Sequence, residues 1–316
     1  MSQLRSAAET AVEQCLALSS DESCLIVTDD ERVSIGEALY EVAREVTQDA
    51  AIVRYPPGET HGGEPPEPVA AAMSGADVVL APTTKSLSHT RARGNANEAG
   101  ARVATLPGIT EDIFVAGLDA DYEEIAAHSA AVREQVDGAD EIRVTTAAGT
   151  DITFGIGSRE FLSDVGIVHE PGEMSNLPAG EVFVSPETAD GRYAVDGTMR
   201  PHGLLEEGQI LEFEVEDGLV THISDDEIRE TVKTAADEVG EAAYNLAELG
   251  IGTNVAVQEL VGSVLLDEKA AGTVHIAIGD DANIGGDVDA PIHLDGIIRD
   301  ATVYADGEEI EIPRPE

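Results

Sequence analysis

The sequence has no tryptophan, only 3% aromatic residues, two cysteines and three lysines (Lys85, Lys233, Lys269) among 316 residues. With so few aromatics, the core has to be filled by aliphatic side chains and alanine. Cys15 and Cys24 fit neither the spacing of a zinc pair nor a disulfide framework, and read as small buried hydrophobes or a surface thiol. No stretch approaches 18 consecutive apolar residues, so no membrane span is expected. The N-terminus, MSQLRSAAETAVEQC, lacks a basic segment leading into an apolar run, so no secretory signal is expected and the location reads as cytoplasmic. No strand-like run is followed by G-x-G-x-x-G, and no G-x-S-x-G occurs. Those absences remove the signatures of dinucleotide binding and of a nucleophilic serine.

Positive charge is the other scarcity. Sixty-three acids against 18 bases give a formal net charge of −45. A disordered acidic chain is disfavoured, because the acids are spread among apolar periodic segments rather than gathered in a tail. A polyanion that binds cations or basic partners is one remaining reading. Adaptation to molar salt explains the pattern better, since screening at about 1 M salt shortens the reach of self-repulsion to roughly 3 Å. Nucleic acid is excluded as a partner on the same ground, because its phosphates would be repelled.

What is present is a change of pattern near residue 140. Up to that point, short apolar runs at 24–29, 50–55, 77–83 and 101–107 alternate with helical patterns at 34–47, 66–75, 88–100 and 121–136. A further helix precedes the first run. Buried runs separated by helices predict a doubly wound parallel sheet, Rossmann-like or flavodoxin-like, over residues 1–140. Residues 141–316 read instead as an α+β domain rich in antiparallel strands. Hairpins are expected over 141–156, 209–224 and 301–312, the last two turning at Asp217-Gly218 and Asp306-Gly307. A long amphipathic helix is expected over about 225–249, ended by Gly250.

Within this second domain, TVHIAIG (273–279) and PIHLDGII (291–298) read as buried strands that carry ionisable side chains. His293 and Asp295 are two apart, so a strand points both to one face. Burying such groups unpaired costs several kcal/mol. A hydrogen-bonded His–Asp pair is the plain solution, and a divalent metal held also by His275 is the other. Glu181 opens an apolar strand, and Glu248 is placed at the C-terminal end of the expected helix, where the helix dipole disfavours an acid. Together they would supply the carboxylates of a two-metal hydrolytic site. His89, Arg91 and Arg93, in SHTRAR, form a rare basic cluster suited to a substrate carboxylate or a subunit contact.

The segments NLPAGEVFVSP, ELGIGTN, DEKAAGTVHIAIGD and IHLDG, in that order, together with SLSHTRARGNANEAGARVATLPGITEDIF, resemble the aminopeptidase T/aminopeptidase S metallopeptidases. The resemblance implies a homodimer that removes N-terminal residues from peptides. It puts Glu181, Glu248, His275, His293 and Asp295 at metal-ligand positions for two divalent ions (Zn, Co or Mn) that activate a water. One departure is visible: IAIGDDANIGG, after His275, has no tyrosine where the peptidases carry one. A ring-cleaving dioxygenase acting on dihydroxypyridine is similar to this peptidase family. The alternative it implies is a mononuclear Fe(II) site made of His275, His293 and Asp295, two histidines and a carboxylate. A non-catalytic relative is the third reading.

Overall fold

The computed structural model describes residues 3–282 and 284–315. They form two compact units, the described residues of Met1–Ala126 with Asp164–Ala179, and those of Ala127–Ser163 with Gly180–Glu316. The division thus lies before residue 140, and a later segment, 164–179, returns to the first unit.

The first unit begins with α1 (Gln3–Glu9) and then alternates as expected: β1 (Cys24–Asp29), α2 (Val33–Val46), β2 (Ala50–Tyr55), α3 (Glu67–Met73), β3 (Val78–Thr83), α4 (Arg91–Glu98) and β4 (Arg102–Pro107). Next come α5 (Glu111–Leu118), which the pattern did not separate, and α6 (Tyr122–Val136), along which the chain passes to the second unit. There it forms β5 (Glu141–Thr145), β6 (Asp151–Gly155) and β7 (Leu162–Asp164), then returns to the first unit as β8 (Met174–Asn176). The first sheet is parallel in the order β2-β1-β3-β4-β8, which is the flavodoxin-like order. Leu25, Val27, Val79, Ala81 and Val103 on one face pack with Val69 and Met73 of α3 and with Ala92 and Ala96 of α4. On the opposite face Gly36 of α2 lies against Thr28, so closely that a Cβ there would come within 2.8 Å of the threonine. Helices therefore cover both faces, which is why β1 and β3 are buried at every residue.

The second unit continues with β9 (Glu181–Val184), β10 (Thr188–Val195), β11 (Thr198–Met199), β12 (Gly203–Leu204), β13 (Leu211–Glu216), β14 (Leu219–Ile223) and α7 (Asp226–Val239). It closes with β15 (Leu246–Gly252), α8 (Val264–Asp267), β16 (Val274–Gly279), β17 (His293–Ile298), β18 (Thr302–Ala305) and β19 (Glu308–Glu309). One sheet runs β14-β13-β10-β6-β5-β18-β19 with antiparallel pairing throughout. The other runs β12-β11-β17-β16-β15-β9-β7. Residues of both sheets share one aliphatic core with Ile228 and Val232 of α7. Both Asp-Gly turns fall where expected, and all four of their residues have positive φ (51° and 79°, then 48° and 84°). That is the type I′ geometry whose twist matches a hairpin.

One element differs in kind. The helix expected over 225–249 is capped by the Asp225 carboxylate and ends at Val239, where Gly240 takes φ +70°. Residues 246–252 are the strand β15, buried at all seven positions. The mistake arose because Ala243 and Leu246 prolong the helical spacing of α7, whereas Leu246, Ala247, Leu249 and Ile251 fit a strand buried on both faces equally well. Gly250 is therefore not a helix terminator but a strand residue.

Among the described residues, no helix is long and apolar enough to cross a membrane.

Candidate metal centre

Strand register places all five ligand-type residues on one face of the second sheet. Across β16 and β17, Gly279 lies opposite His293 and Ala277 opposite Asp295. Across β15 and β16, Glu248 lies opposite Ala277 and Gly250 opposite His275. Across β15 and β9, Gly252 lies opposite Glu181. Directly opposed residues share a face, as do residues two apart. Glu181, Glu248, His275, His293 and Asp295 therefore project together, while Val182, Val184, Leu249, Ile251, Val274, Ile276 and Ile278 point into the aliphatic core.

The shared face has room because its other positions are small. A Cβ on Gly250 would come within 2.0 Å of His275 Nε2, and one on Gly252 within 2.1 Å of the Ala270 carbonyl oxygen. Glycine at 250 is what lets the imidazole lie flat across β15.

The distances define two triplets that share Glu248: Glu181, Glu248 and His275, and Glu248, His293 and Asp295, each with its ligand atoms within 4.8 Å of one another. His275 Nε2 is 3.2 Å from Glu248 Oε1 and 3.4 Å from Glu181 Oε2. His293 Nε2 is 3.2 Å from both Glu248 Oε2 and Asp295 Oδ1. His275 and His293 thus meet through the Glu248 carboxylate, one at each of its oxygens. His275 is almost wholly buried, whereas the His293 side chain is 32% exposed, so the centre opens to solvent at His293.

His293 Nδ1 lies 2.7 Å from the Asp280 carbonyl oxygen. A carbonyl only accepts, so Nδ1 carries a proton and donates it, and Nε2 is the nitrogen that faces the carboxylates. Asp280 is in turn held by its neighbour. The buried Asp281 carboxylate accepts from Ser185 Oγ, Asn245 Nδ2 and the Val288 amide. His275 Nδ1 and Glu181 Oε2 are buried without a hydrogen-bond partner among the described residues.

Charge is concentrated here. Burial opposes a charged His275, but its hydrogen bond to Glu248 and the charges of Glu181, Glu248 and Glu268 outweigh it, lifting its pKa to about 9. Burial likewise opposes a charged His293, and Asp295 and Glu248 raise its pKa nonetheless. Burial would push Glu248 up, yet the two imidazoles hold it far below the usual carboxylate range. Glu181 goes the other way: burial drives it up to about 8, against the pull of Lys269 and His275. The carboxylates therefore draw protons onto both imidazoles. A pocket that recruits positive charge in this way, with His293 Nε2 already aimed at the carboxylates and Glu181 Oε2 without a hydrogen bond, fits a cation.

Sequence reasoning missed Lys269 and Glu268. Lys269 is buried, with Nζ 2.5 Å from Glu181 Oε1 and 2.9 Å from Glu268 Oε1. The signal was one of only three lysines standing in the apolar context LLDEKAAGTV. Glu248 was singled out for the wrong reason, since it lies on a central buried strand and not at a helix end.

The basic cluster belongs to the first unit. The Thr90 side chain caps α4, accepting from the Arg93 amide. Arg91 is exposed and pairs with Glu64 at 3.2 Å. Arg93 is half-buried, with Nε donating to the Ser88 carbonyl (2.7 Å) and Nη1 to Asn97 (3.1 Å). His89 is exposed in the turn before them.

Comparison with known proteins corrects the chemistry expected from the sequence. Wild-type AmpT from Thermus thermophilus matches with a TM-score of 0.67 at 18% identity, covering 98% of this chain and 99% of that one. The 2,5-dihydroxypyridine dioxygenase from Pseudomonas putida KT2440 matches with a TM-score of 0.82 at 19% identity, covering 99% and 97%. No curated protein matches the chain. At these identities the structural likenesses show the shared fold. The profile of NicX, 2,5-dihydroxypyridine 5,6-dioxygenase, matches residues 33–312. That match overturns the expected aminopeptidase: the hydrolase, its peptide substrate and its proteolytic role give way to an oxygenase. The peptidase-like motifs are accounted for by a fold common to both groups, and the tyrosine missing after His275 was the sequence's own sign of the difference. Because the match runs from the start of α2 past the last strand, the chain belongs to the NicX family of 2,5-dihydroxypyridine 5,6-dioxygenases.

Proposed function

We propose that this protein opens the ring of a dihydroxypyridine with dioxygen, breaking the bond between ring carbons 5 and 6, on a single Fe(II) held by His275, His293 and Asp295. Family membership supports the reaction class. The observation that carries the site is one sheet face bearing two imidazoles and their carboxylates, open to solvent at His293. Two histidines and one carboxylate are the donor set of non-haem Fe(II) oxygenases. Iron, when bound, supplies a centre at which electrons pass from an electron-rich hydroxylated ring to dioxygen.

The remaining work falls to the chain. Asp280 fixes the tautomer of His293. Glu248, set between the two imidazoles, orients both. The apolar strand residues behind the centre keep water from its back.

The test is anaerobic loading with Fe(II) at high salt, followed by 2,5-dihydroxypyridine and an oxygen electrode. One dioxygen should be consumed per ring lost, and His293→Ala and Asp295→Asn should lose both iron and turnover. A protein that holds one iron yet consumes neither oxygen nor ring would refute the assignment.

A further inference from the structure

The five ligand-type residues come from four strands, β9, β15, β16 and β17, and one residue outside the set joins the ends of all four. Asp281 follows β16 by two residues and is buried. Its Oδ2 accepts from Ser185 Oγ at 2.9 Å and from Asn245 Nδ2 at 3.0 Å, and its Oδ1 accepts from the Val288 amide at 2.7 Å. Ser185 is the residue after β9, Asn245 is the residue before β15, and Val288 lies in the connection from β16 to β17. A buried carboxylate is costly to leave short of a donor, so these segments are bound to one another through it.

Two of these ties bear on ligand-type side chains. Asn245 grips Gly279 at both its backbone groups, accepting from the amide at 2.8 Å and donating through Nδ2 to the carbonyl at 3.0 Å. Just past Asn245 the ladder slips by one residue: Leu246 lies opposite Ile278, but Glu248 lies opposite Ala277. A regular ladder would set Glu248 against Ile276, whose side chain is in the aliphatic core. The bulge is therefore what turns Glu248 onto the face of the centre. At β17 the Asp280 amide donates to the Ile292 carbonyl at 2.8 Å, and the Asp280 carbonyl accepts from His293 Nδ1 at 2.7 Å. The Asp281 amide donates to the Val288 carbonyl at 3.0 Å, so amide and carboxylate together close the connection directly behind Asp280. Only glycine at 286 leaves room for the Asp281 carboxylate.

We propose that Asp281 is a positioning residue of this centre: its carboxylate clamps the ends of the four ligand-bearing strands and, through the Asp280 carbonyl, sets the ring of His293. The inference rests on the reading of this face as a metal centre and deepens it by naming what holds the donors in place before an ion arrives. With the clamp closed, the Asp280 carbonyl has one position and the His293 ring one orientation, and the bulge that presents Glu248 is fixed by Asn245. Asparagine at 281 keeps the shape of the side chain but not its hydrogen bonds. Its amide nitrogen would replace Oδ2 and face the Asn245 amide, donor against donor.

The experiment has two readings, and neither needs turnover. Metal-free protein at high salt is titrated calorimetrically with Mn(II), and the His293 Nδ1–H proton is followed by NMR in metal-free protein carrying isotope-labelled histidine, its signal assigned by its loss in His293→Ala. Asp281→Asn weakens Mn(II) binding about tenfold, the lower end of what loss of an outer partner costs. In the same variant the Nδ1–H signal, protected by the Asp280 carbonyl in the unsubstituted protein, exchanges with water. Asp287→Asn, in the same connection but with its side chain 88% exposed, removes only a pair with Arg159 and leaves both readings unchanged. Ser185→Ala deletes one donor to Asp281, moves both readings in the direction of Asp281→Asn, and decides alone if Asp281→Asn does not fold. A folded Asp281→Asn with unchanged affinity, a His293 signal that stays protected in it, or an Asp287→Asn that loosens the metal equally would each overturn the proposal. An unsubstituted protein that takes up no Mn(II) would overturn it together with the metal centre. An iron form that leaves dihydroxypyridine intact would sink the proposed reaction and leave the Asp281 assignment standing.

Discussion

Gly250→Ala is the smallest change that tests whether His275 lies where the sheet register places it. The added methyl would be 2.0 Å from His275 Nε2 and 2.1 Å from Cε1. To reach an ordinary contact of 3.4 Å the ring has to withdraw by about 1.4 Å, and it has little freedom to do so because its side chain is 1% exposed. Overpacking of a filled interior costs about 1–3 kcal/mol. The larger effect expected is on metal, because the atom pushed aside is the proposed donor itself. Losing a partner of a ligand costs about 10–100-fold in affinity, so displacing a donor should reach at least the upper end, ~100-fold. Gly94→Ala is the control, since its position in α4 has no heavy atom within 4 Å of the new methyl. It should be neutral or stabilising by up to about 1 kcal/mol through helix propensity. Thermal unfolding and Mn(II) or Fe(II) titration at high salt read both effects. Unchanged metal affinity in a folded Gly250→Ala would show that His275 does not face the centre.

Two further predictions concern stability. Arg102 binds Glu22 at 2.7 Å, and that hydrogen bond brings the Glu22 carboxyl down to about 2 from an ordinary 4.5. A folded-state pKa below the unfolded one stabilises fully above the unfolded value and is lost as pH falls toward the folded one. The gap in melting temperature between the unsubstituted protein and Glu22→Gln should therefore be widest above about pH 5 and shrink toward pH 2; a gap that grows on acidification would contradict the pairing. The net charge of −45 predicts a melting temperature that rises between about 0.1 M and multimolar KCl as the screening length falls from roughly 10 Å to below 3 Å. A flat or falling curve would remove salt adaptation as the explanation of the charge.

The parallel half was legible because its strands are short apolar runs bounded by helices, and burial on both faces leaves no alternative for a run such as Cys24–Asp29. The Asp-Gly hairpins were legible because the turn needs two positive φ angles and those residues tolerate them. β15 was not. A fully buried strand has no period of its own, and after α7 its residues happen to continue a helical spacing. β8 was also invisible, since three residues carry too little pattern to show a return to the first sheet. For the centre, identity was legible but grouping was not. An ionisable residue in an apolar run flags itself, which found His275, His293, Asp295 and Glu181. The pairing of Lys269 with Glu181 depends on a turn laid against a glycine across the sheet, and no spacing in the chain encodes that. The choice between peptidase and oxygenase was hidden for a related reason, because the two groups share a fold.

The ligand-type residues are scattered from Glu181 to Asp295 and become neighbours only once β9, β15, β16 and β17 have paired. An unfolded chain consequently offers a cation nothing resembling this grip, so the ion cannot seed folding and has to wait for a finished sheet. Binding to the native form alone would make the proposed metal a thermodynamic clamp: at free concentrations 100 times the dissociation constant it would add about 2.7 kcal/mol to resistance against unfolding.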